Sequence, residues 1–370
     1  MTSSKPLVLF AGRLGGMLNV KYSYLQALRD DYGFAPCFAP QTHNDLELLQ
    51  AAGLPFLRRC TADDIARAVA IVIESFPHES ALADSPVDKS RVLQLWHGIP
   101  LKKIGFPEIA SSVNMNPEKT RYLEQQYSGY AAVPSTSPWV TEELFSKAFK
   151  ARDFPELGFA RNDILMRSVT QRDMLGVDAA IYARLARHRR EGGRVVVYMP
   201  TFRDTGGNFL EDGAMDPMLL DRLCARHNLI ILAKFHPYVP VASFSKLQNF
   251  VIYDSHKDIY ALLPLADALV TDYSSIYFDF LITDKPLIFF PYDKEKYLSK
   301  DRELFYNYEA MTPGVHVRTQ DALMEALLRT CLAGEDPHAE ARRALRAKAF
   351  ARIDAEASHR VCGYIRDRLL

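Results

Sequence analysis

Cysteine is scarce in this sequence, and the few that occur are scattered. The five cysteines stand at positions 37, 60, 224, 331 and 362, so no pair has the C-x-x-C spacing of a zinc site. An odd number also fits no complete disulfide framework. A reduced, cytoplasmic setting is the simplest interpretation. The sequence has neither a metal-ligand cluster nor the D-x-D motif of sugar transferases, so we expect no metal and no cofactor.

Long hydrophobic runs are also missing. No apolar segment reaches the roughly 18–20 residues that span a bilayer. The apolar run near the N-terminus, PLVLFAG, is too short for a signal peptide. We therefore expect a cytoplasmic protein whose membrane contact is peripheral, on the cytoplasmic face of the membrane.

An excess of charge of one sign is missing as well, because Lys+Arg and Asp+Glu each total 45. Nucleic-acid-binding domains usually carry a basic excess, so no nucleic-acid partner is expected. Hydrophobic residues at 48% and charged residues at 24% are normal for a globular protein. The 370 residues are enough for two domains with sizeable cores.

Short aliphatic runs alternate with helical patterns in both halves of the chain. A charged helical stretch, AAIYARLARHRREGG, separates the halves near 165–190. The alternation predicts an α/β fold of two Rossmann-like domains facing across a cleft, each with a parallel sheet covered on both faces, and a helical C-terminus. The predicted strands cover 6–12, 69–75, 92–98, 129–135, 194–202, 229–237, 250–254, 267–272 and 285–293.

Polar residues gather where several of these strands end. Open parallel sheets bind ligands outside the carboxyl ends of their strands. The residues at such ends therefore predict one shared site; they are His97, Thr201, Arg203, His236, Asp272, Ser274 and Ser275.

The segment VTDYSSIYFDFLITDKPLIFF places Asp272, Ser274 and Ser275 at the start of a helix. Unpaired N–H groups and a partial positive charge at such a start favour phosphate binding. Helix capping alone is the other interpretation, although it needs only one of these residues.

Each histidine has two interpretations on local grounds. His97 is followed by Lys102 and Lys103, and neighbouring cations favour the neutral imidazole that accepts a proton. It is equally compatible with a structural imidazole beside a solvated loop. His236 is either catalytic or a hydrogen-bonded strand end.

Two arginines and one glycine-rich turn complete the candidates. Arg161 and Arg203 are either phosphate ligands, since guanidinium binds phosphate oxygens bidentately, or ion-pair residues. The turn GRLGG (12–16) lacks the full G-x-G-x-x-G spacing and is interpreted as a tight turn lining the cleft.

Together the motifs resemble the CDP-glycerol glycerophosphotransferase family of teichoic-acid primases and polymerases. The similar segments cover most of the chain in the family's order. They are GRLGGMLNVKY, LWHGIPLKKIGF, GFARND, MPTFRD, FHP, TDYSSIYFDFLITDKPLIFFPYD, ELFYNYEAMTPG and ASHRV.

The resemblance implies a GT-B architecture, with an acceptor-side domain over 1–168 and a CDP-glycerol-binding domain over 169–370. It implies transfer of glycerol phosphate from CDP-glycerol to a hydroxyl of a glycan or lipid-linked acceptor, with release of CMP. His97 would be the base and His236 the second catalytic histidine. The motifs add substrate-binding candidates: Asn19, Lys21, Gly98, Lys102, Lys103, Asn162, Asp163, Pro237, Thr271 and Asp279.

Two positions depart from the family's motifs. Ile99 stands where threonine is usual beside the histidine, which predicts an altered acceptor pocket, and Ala160 stands where proline is common. The alternatives are a CDP-ribitol-dependent transferase, a GT-B glycosyltransferase or epimerase acting on a nucleotide sugar, and a non-catalytic polymer-binding module.

Overall fold

The computed structural model describes residues 5–111, 113, 115–203, 205–207, 212–236, 239 and 246–370. The described residues form two six-stranded sheets. The first contains β1 (Leu7–Gly12), β2 (Ala35–Pro40), β3 (Ala70–Ile73), β4 (Val92–Gln94), β5 (Ser128–Ala132) and β6 (Lys150–Asp153). The second contains β7 (Arg194–Met199), β8 (Leu229–Lys234), β9 (Phe250–Tyr253), β10 (Ala268–Thr271), β11 (Leu287–Phe289) and β12 (Val315–His316).

Helices connect the strands. Those over 19–148 are α1 (Asn19–Ala27), α2 (His43–Ala51), α3 (Ala62–Arg67), α4 (Phe106–Ile109), α5 (Pro117–Gln126), α6 (Pro138–Val140) and α7 (Ser146–Ala148). Next come α8 (Ala179–Arg190), α9 (Pro217–Arg226), α10 (Ile276–Phe280), α11 (Lys294–Lys296) and α12 (Tyr308–Met311). The last three are α13 (Gln320–Cys331), α14 (Ala339–Ala349) and α15 (Ala357–Arg368). In the described part of the chain, no helix has the length and apolar character to cross a bilayer.

All neighbouring strands in the described ladders are parallel, which confirms the predicted sheet type. The strand orders are β2-β1-β3-β4-β5-β6 and β12-β11-β10-β7-β8-β9. In the second sheet, β8 and β9 lie on one side of β7, whereas β10, β11 and β12 lie on its other side. The strand order therefore reverses between β7 and β10. Such a switch point leaves a crevice outside the carboxyl ends of the two strands, where ligands bind in open α/β sheets.

The two sheets share one buried apolar cluster. It includes Ile71 and Trp96 from the first sheet region and Val197 and Phe289 from the second. The two halves therefore share a continuous hydrophobic core.

Helix α15 crosses back to the first sheet. Its buried side chains Val361, Cys362 and Ile365 pack with Phe10 and Tyr24 in an apolar cluster of the first half. This differs from the expected division at residue 168, which assigned all of 169–370 to the second domain. The amphipathic pattern of this helix indicates a buried face but cannot indicate which sheet that face covers.

Candidate active site

A pocket of about 450 Å³ opens where strand ends of the two sheets meet. It lies at the β7/β10 switch point and is closed on its other side by the loop after β4. The lining residues are Trp96, His97, Gly98, Pro100, Leu101, Lys102, Ile104, Met199, Pro200, Thr201, Phe202, Lys234, Phe235, His236, Tyr273, Ser274 and Ser275.

His97 is half-buried on the wall formed by the first sheet. Its Nδ1 lies 3.2 Å from the carbonyl oxygen of Glu74, and its ring centroid lies 4.0 Å from that of Trp96. A carbonyl only accepts, so Nδ1 carries the proton and Nε2 carries the lone pair. The imidazole is thereby fixed in the tautomer that can accept a proton at Nε2.

The surroundings of His97 keep it neutral. Burial lowers its pKa to about 4, and the positive charges of Arg161 and Lys102 act in the same direction, while the bond to Glu74 opposes them. At neutral pH the imidazole is therefore the basic form.

The loop that presents His97 is held in an unusual backbone conformation. Trp96 has φ of 53° and Gly98 has φ of 124°, both in the left-handed region. Such a conformation in a tryptophan costs on the order of 1–3 kcal/mol and needs support from its surroundings. Asn19 provides part of it, since its Nδ2 donates to the Trp96 carbonyl at 2.9 Å. A Cβ at Gly98 would lie 2.7 Å from Nη2 of Arg161, and the φ of 124° is one that side-chain-bearing residues rarely adopt, so both features favour glycine there.

His236 occupies the opposite wall in a different setting. It stands two residues after the end of β8, its side chain is exposed, and its ring packs on Phe202 with 4.6 Å between centroids. Pro237, the next predicted site residue, lies outside the described residues.

Hydroxyl groups at the ends of β7 and β10 line the same wall. Thr201 donates its backbone N–H to Asp272 at 2.8 Å, while its buried Oγ1 has no partner among the described residues. Ser274 and Ser275 face the pocket. Ser275 stands at the N-cap of α10 without a capping hydrogen bond from its side chain, so capping does not explain this residue.

Arg203 lies behind this wall and is 2% exposed. Its Nε and Nη2 donate to Asp293 at 2.7 and 2.8 Å, and its Nη1 donates to Asp272 at 2.9 Å. Tyr273 covers its face, with 5.0 Å from Cζ to the ring centroid. The guanidinium is thus an ion-pair residue that fixes Asp272, and through it the backbone of Thr201.

Arg161 is likewise engaged by a carboxylate. Its Nη2 donates to Asp279 at 2.5 Å and to the His97 carbonyl at 2.9 Å. Asp279 also accepts from Asn162 at 3.2 Å and from the Tyr260 hydroxyl at 2.5 Å. This buried cluster ties the first half of the chain to α10 and supports the backbone of the histidine loop.

The remaining motif residues lie outside the pocket wall and act as internal supports. Lys21 is fully buried and donates to Asp258 at 2.6 Å, where the Tyr22 hydroxyl also donates at 2.8 Å. Asp163 accepts from the backbone N–H of Ser358 at 2.9 Å at the start of α15. These contacts join distant segments, and neither Lys21 nor Asp163 lines the pocket.

Of three further predicted residues, one lines the pocket and two do not. Lys102 lines the pocket with its Nζ 5.7 Å from the ring centroid of Tyr297. Lys103 is paired with Glu303 outside it. Thr271 is buried and donates its hydroxyl to the Met199 carbonyl at 2.7 Å.

One expectation about the pocket wall is wrong. Ile99 is fully buried in the shared apolar cluster and does not line the pocket, so its side chain cannot reshape an acceptor site there. The turn at 12–16 packs against the second half, where Arg13 meets His256 at 2.7 Å, so it lies between the two halves but outside the pocket lining. A Cβ at Gly15 would lie 1.7 Å from the His256 carbonyl oxygen, which explains the glycine.

Two residues with a place in the site were missed from the sequence. Glu74 orients His97 through its carbonyl and accepts from the Val20 N–H at 3.0 Å through its carboxylate. Lys234 ends β8 and faces the pocket. The position of each at a strand end was the signal that could have found it. Within the described residues, no group of three or more His, Cys, Asp or Glu side chains is suited to a metal ion.

The chain matches a family model and several curated proteins. The model described as CDP-Glycerol:Poly(glycerophosphate) glycerophosphotransferase matches residues 19–367. A teichoic acid glycerol-phosphate transferase of Staphylococcus aureus is 31% identical over 74% of this chain and 70% of its own length. A teichoic acid ribitol-phosphate polymerase of the same organism, TarK, is 25% identical over 84% of this chain and 59% of its own length.

The fold is similar to that of the wall teichoic acid polymerase TagF. One TagF structure superposes with a TM-score of 0.75 at 22% identity, covering 99% of this chain and 89% of that chain. Another TagF structure contains CDPG. Because the family model spans nearly the whole chain, the protein belongs to the CDP-glycerol:poly(glycerophosphate) glycerophosphotransferase family.

Proposed function

We propose that this protein moves glycerol phosphate from CDP-glycerol to a hydroxyl of a glycan or lipid-linked acceptor and releases CMP. One observation carries the proposal. His97 from one sheet lines the same pocket as His236, Ser274 and Ser275 from the other. The family match at 19–367 includes all four residues.

His97 acts as the general base in this proposal. Its neutral imidazole takes the acceptor's hydroxyl proton at Nε2 as the oxygen attacks the glycerol-bearing phosphorus. The bond from that phosphorus to the bridging oxygen breaks, and CMP leaves with the electron pair. General base catalysis is typically worth about 10²–10⁴-fold in rate.

The opposite wall of the pocket binds the phosphates of the donor in this proposal. His236, Ser274 and Ser275 face the pocket there, and Thr201 also lines it. Negative charge grows on the departing CMP phosphate, so fixed donors aimed at it stabilise the transition state. Arg203 acts indirectly, because its bond to Asp272 holds the backbone that presents these groups.

We further propose that the two sheets form a GT-B arrangement. In it, residues 1–168 make the acceptor-side domain and 169–370 the donor domain, except that α15 joins the first. The supporting observations are the two parallel sheets, the pocket between them and the similarity to TagF.

Release of CMP from CDP-glycerol, with mass analysis of products from a panel of lipid-linked and glycan acceptors, tests the assignment. We expect CMP and an acceptor heavier by one or more glycerol phosphate units. Release of UDP from UDP-sugars without CMP from either CDP-polyol would instead establish a glycosyltransferase.

CDP-ribitol is the second candidate donor. The similarity to a ribitol-phosphate polymerase favours it, since phosphate-binding groups discriminate poorly between polyols. Assaying both CDP-polyols at equal concentration, and comparing kcat/KM, separates the two.

Peripheral contact with the cytoplasmic face of the membrane accompanies a lipid-linked acceptor in this proposal. Flotation with vesicles that do or do not contain the acceptor tests it. Binding that depends on the acceptor is the expected result, and a protein that never floats with acceptor-bearing vesicles would contradict it.

A further inference from the structure

Lys234 is a basic side chain inside the pocket that no motif indicated. It is the last residue of β8, two positions before His236. Its ammonium group donates to the backbone carbonyl of Lys257 and lies 5.7 Å from the ring centroid of Tyr253. The side chain is thus held in place with N–H groups to spare, because an ammonium has three donors.

The charge of Lys234 is not matched by a carboxylate of its own. Arg161 and Arg203 are paired with carboxylates at 2.5–2.9 Å, whereas Lys234 makes no ion pair with any residue that the structure describes. Asp258 influences it electrostatically but is already bonded to Lys21.

The pKa of Lys234 is lowered to about 8, chiefly by burial and with a small contribution from Arg13, while Asp258 and Asp254 oppose the shift. The group is therefore mainly an ammonium at pH 7. A phosphate bound beside it would stabilise the charged form and raise this pKa.

We propose that Lys234 binds the pyrophosphate of the donor and stabilises the charge that develops on the departing CMP phosphate. Its part in turnover rests on the proposed function. No proton is transferred, because a phosphate monoester has its second pKa near 6 and leaves without an acid at neutral pH. The lysine contributes a fixed positive charge where the bond breaks.

Lys285 offers a matched control. Its pKa is also lowered to about 8 by burial, and its Nζ donates to the carbonyls of Pro264 and Ala266 at 2.7 and 2.6 Å. It does not line the pocket. Lys285→Met therefore removes a similarly buried ammonium without touching the site.

The experiment measures binding of inorganic pyrophosphate by calorimetry, with Lys234→Met, Lys234→Arg and Lys285→Met against the wild type. Loss of a charge-assisted hydrogen bond predicts about ten- to a hundredfold weaker binding for Lys234→Met at pH 7. Lys285→Met should bind as the wild type does. Thermal melts report whether each variant is folded.

The pH dependence gives a second readout that survives a misfolded Lys234→Met variant. Wild-type affinity should fall between pH 7 and pH 9 as Lys234 loses its proton, whereas Lys234→Arg should lose less because arginine stays charged. The other titratable groups near Lys234 and around the pocket are unchanged in that variant; they are Arg13, Tyr253, Asp254, Lys257, Asp258, His97, His236, Lys102 and Tyr273.

Equal binding by Lys234→Met and the wild type overturns the inference, as does a wild type that does not bind pyrophosphate. Equal pH dependence of wild type and Lys234→Arg also overturns it. Failure of the proposed function is recognised separately, by wild-type protein that binds pyrophosphate through Lys234 yet releases no CMP from CDP-glycerol.

Discussion

The two histidines of the pocket each follow a parallel strand, but their environments differ. His97 is half-buried, with Nδ1 held by the Glu74 carbonyl and its ring against Trp96. His236 is exposed and rests on Phe202. The difference shows that a strand end determines where a histidine lies but not its protonation or its accessibility. Backbone contacts and burial fix the tautomer and protonation of His97, while the environment of His236 leaves its ring accessible to a large anionic substrate.

Replacing the base should have the largest effect. We expect His97→Gln to lower kcat by about 10²–10⁴-fold, because glutamine cannot take the acceptor's proton. CMP release with acceptor present measures this. Donor binding should change little, and a variant that folds and turns over at the wild-type rate would remove His97 from the role of base.

Replacing the second histidine should have a smaller effect of another kind. A hydrogen bond to a charged group is worth roughly 1.5–3 kcal/mol, so His236→Gln should lose about 10–150-fold in kcat/KM for the donor. Binding of CDP-glycerol by calorimetry should weaken too. If binding and turnover both match the wild type, His236 does not contact the donor.

The pH dependence of kcat/KM tests the difference between the two histidines through the pKa of His97. Its pKa of about 4 in the folded protein, against 6.5 ordinarily, predicts that kcat/KM falls as the pH drops through 4 and that this group causes no change above 5. The folded form binds this proton less readily than the unfolded chain, so stability also decreases as the pH falls from 6.5 to 4. Circular dichroism at each pH separates unfolding from titration, and an acid limb at 6.5 or above would contradict the assignment.

The smallest effect on turnover is expected at Ile99. The side chain is fully buried, so Ile99→Thr should leave kcat and the acceptor KM unchanged. An unpaired hydroxyl in the core should lower the free energy of unfolding by about 1–3 kcal/mol. Ile99→Val is the control, with a smaller loss of stability. A changed acceptor KM would restore Ile99 to the acceptor site.

Most strands were predictable because central parallel strands are continuous apolar runs. The three strands that were missed lie at sheet edges. β2 reads APCFAP with two prolines, β6 reads KARD, and β12 has two residues. An edge strand has one free side, so it tolerates proline and polar residues and loses the apolar signature.

The pocket was predictable in outline because strand ends of a parallel sheet meet at one edge. The partners of its charged residues were not. Arg161 finds Asp279 at a separation of 118 residues, and Arg203 finds Asp293 at 90. No local pattern distinguishes an arginine that binds phosphate from one paired with such a distant carboxylate. Nor does any local pattern show that Lys234 makes no ion pair with a carboxylate among the described residues.

The return of α15 to the first sheet bears on how the protein folds during synthesis. Cys362 on α15 contacts the Ser23 carbonyl on α1 at 3.4 Å, within the apolar cluster of the first half. While the second half is still being made, this face of α1 has nothing to cover it. Until α15 has been synthesised, the first half therefore exposes this apolar surface, which favours aggregation and chaperone binding. The two halves should accordingly complete folding together, once α15 has left the ribosome.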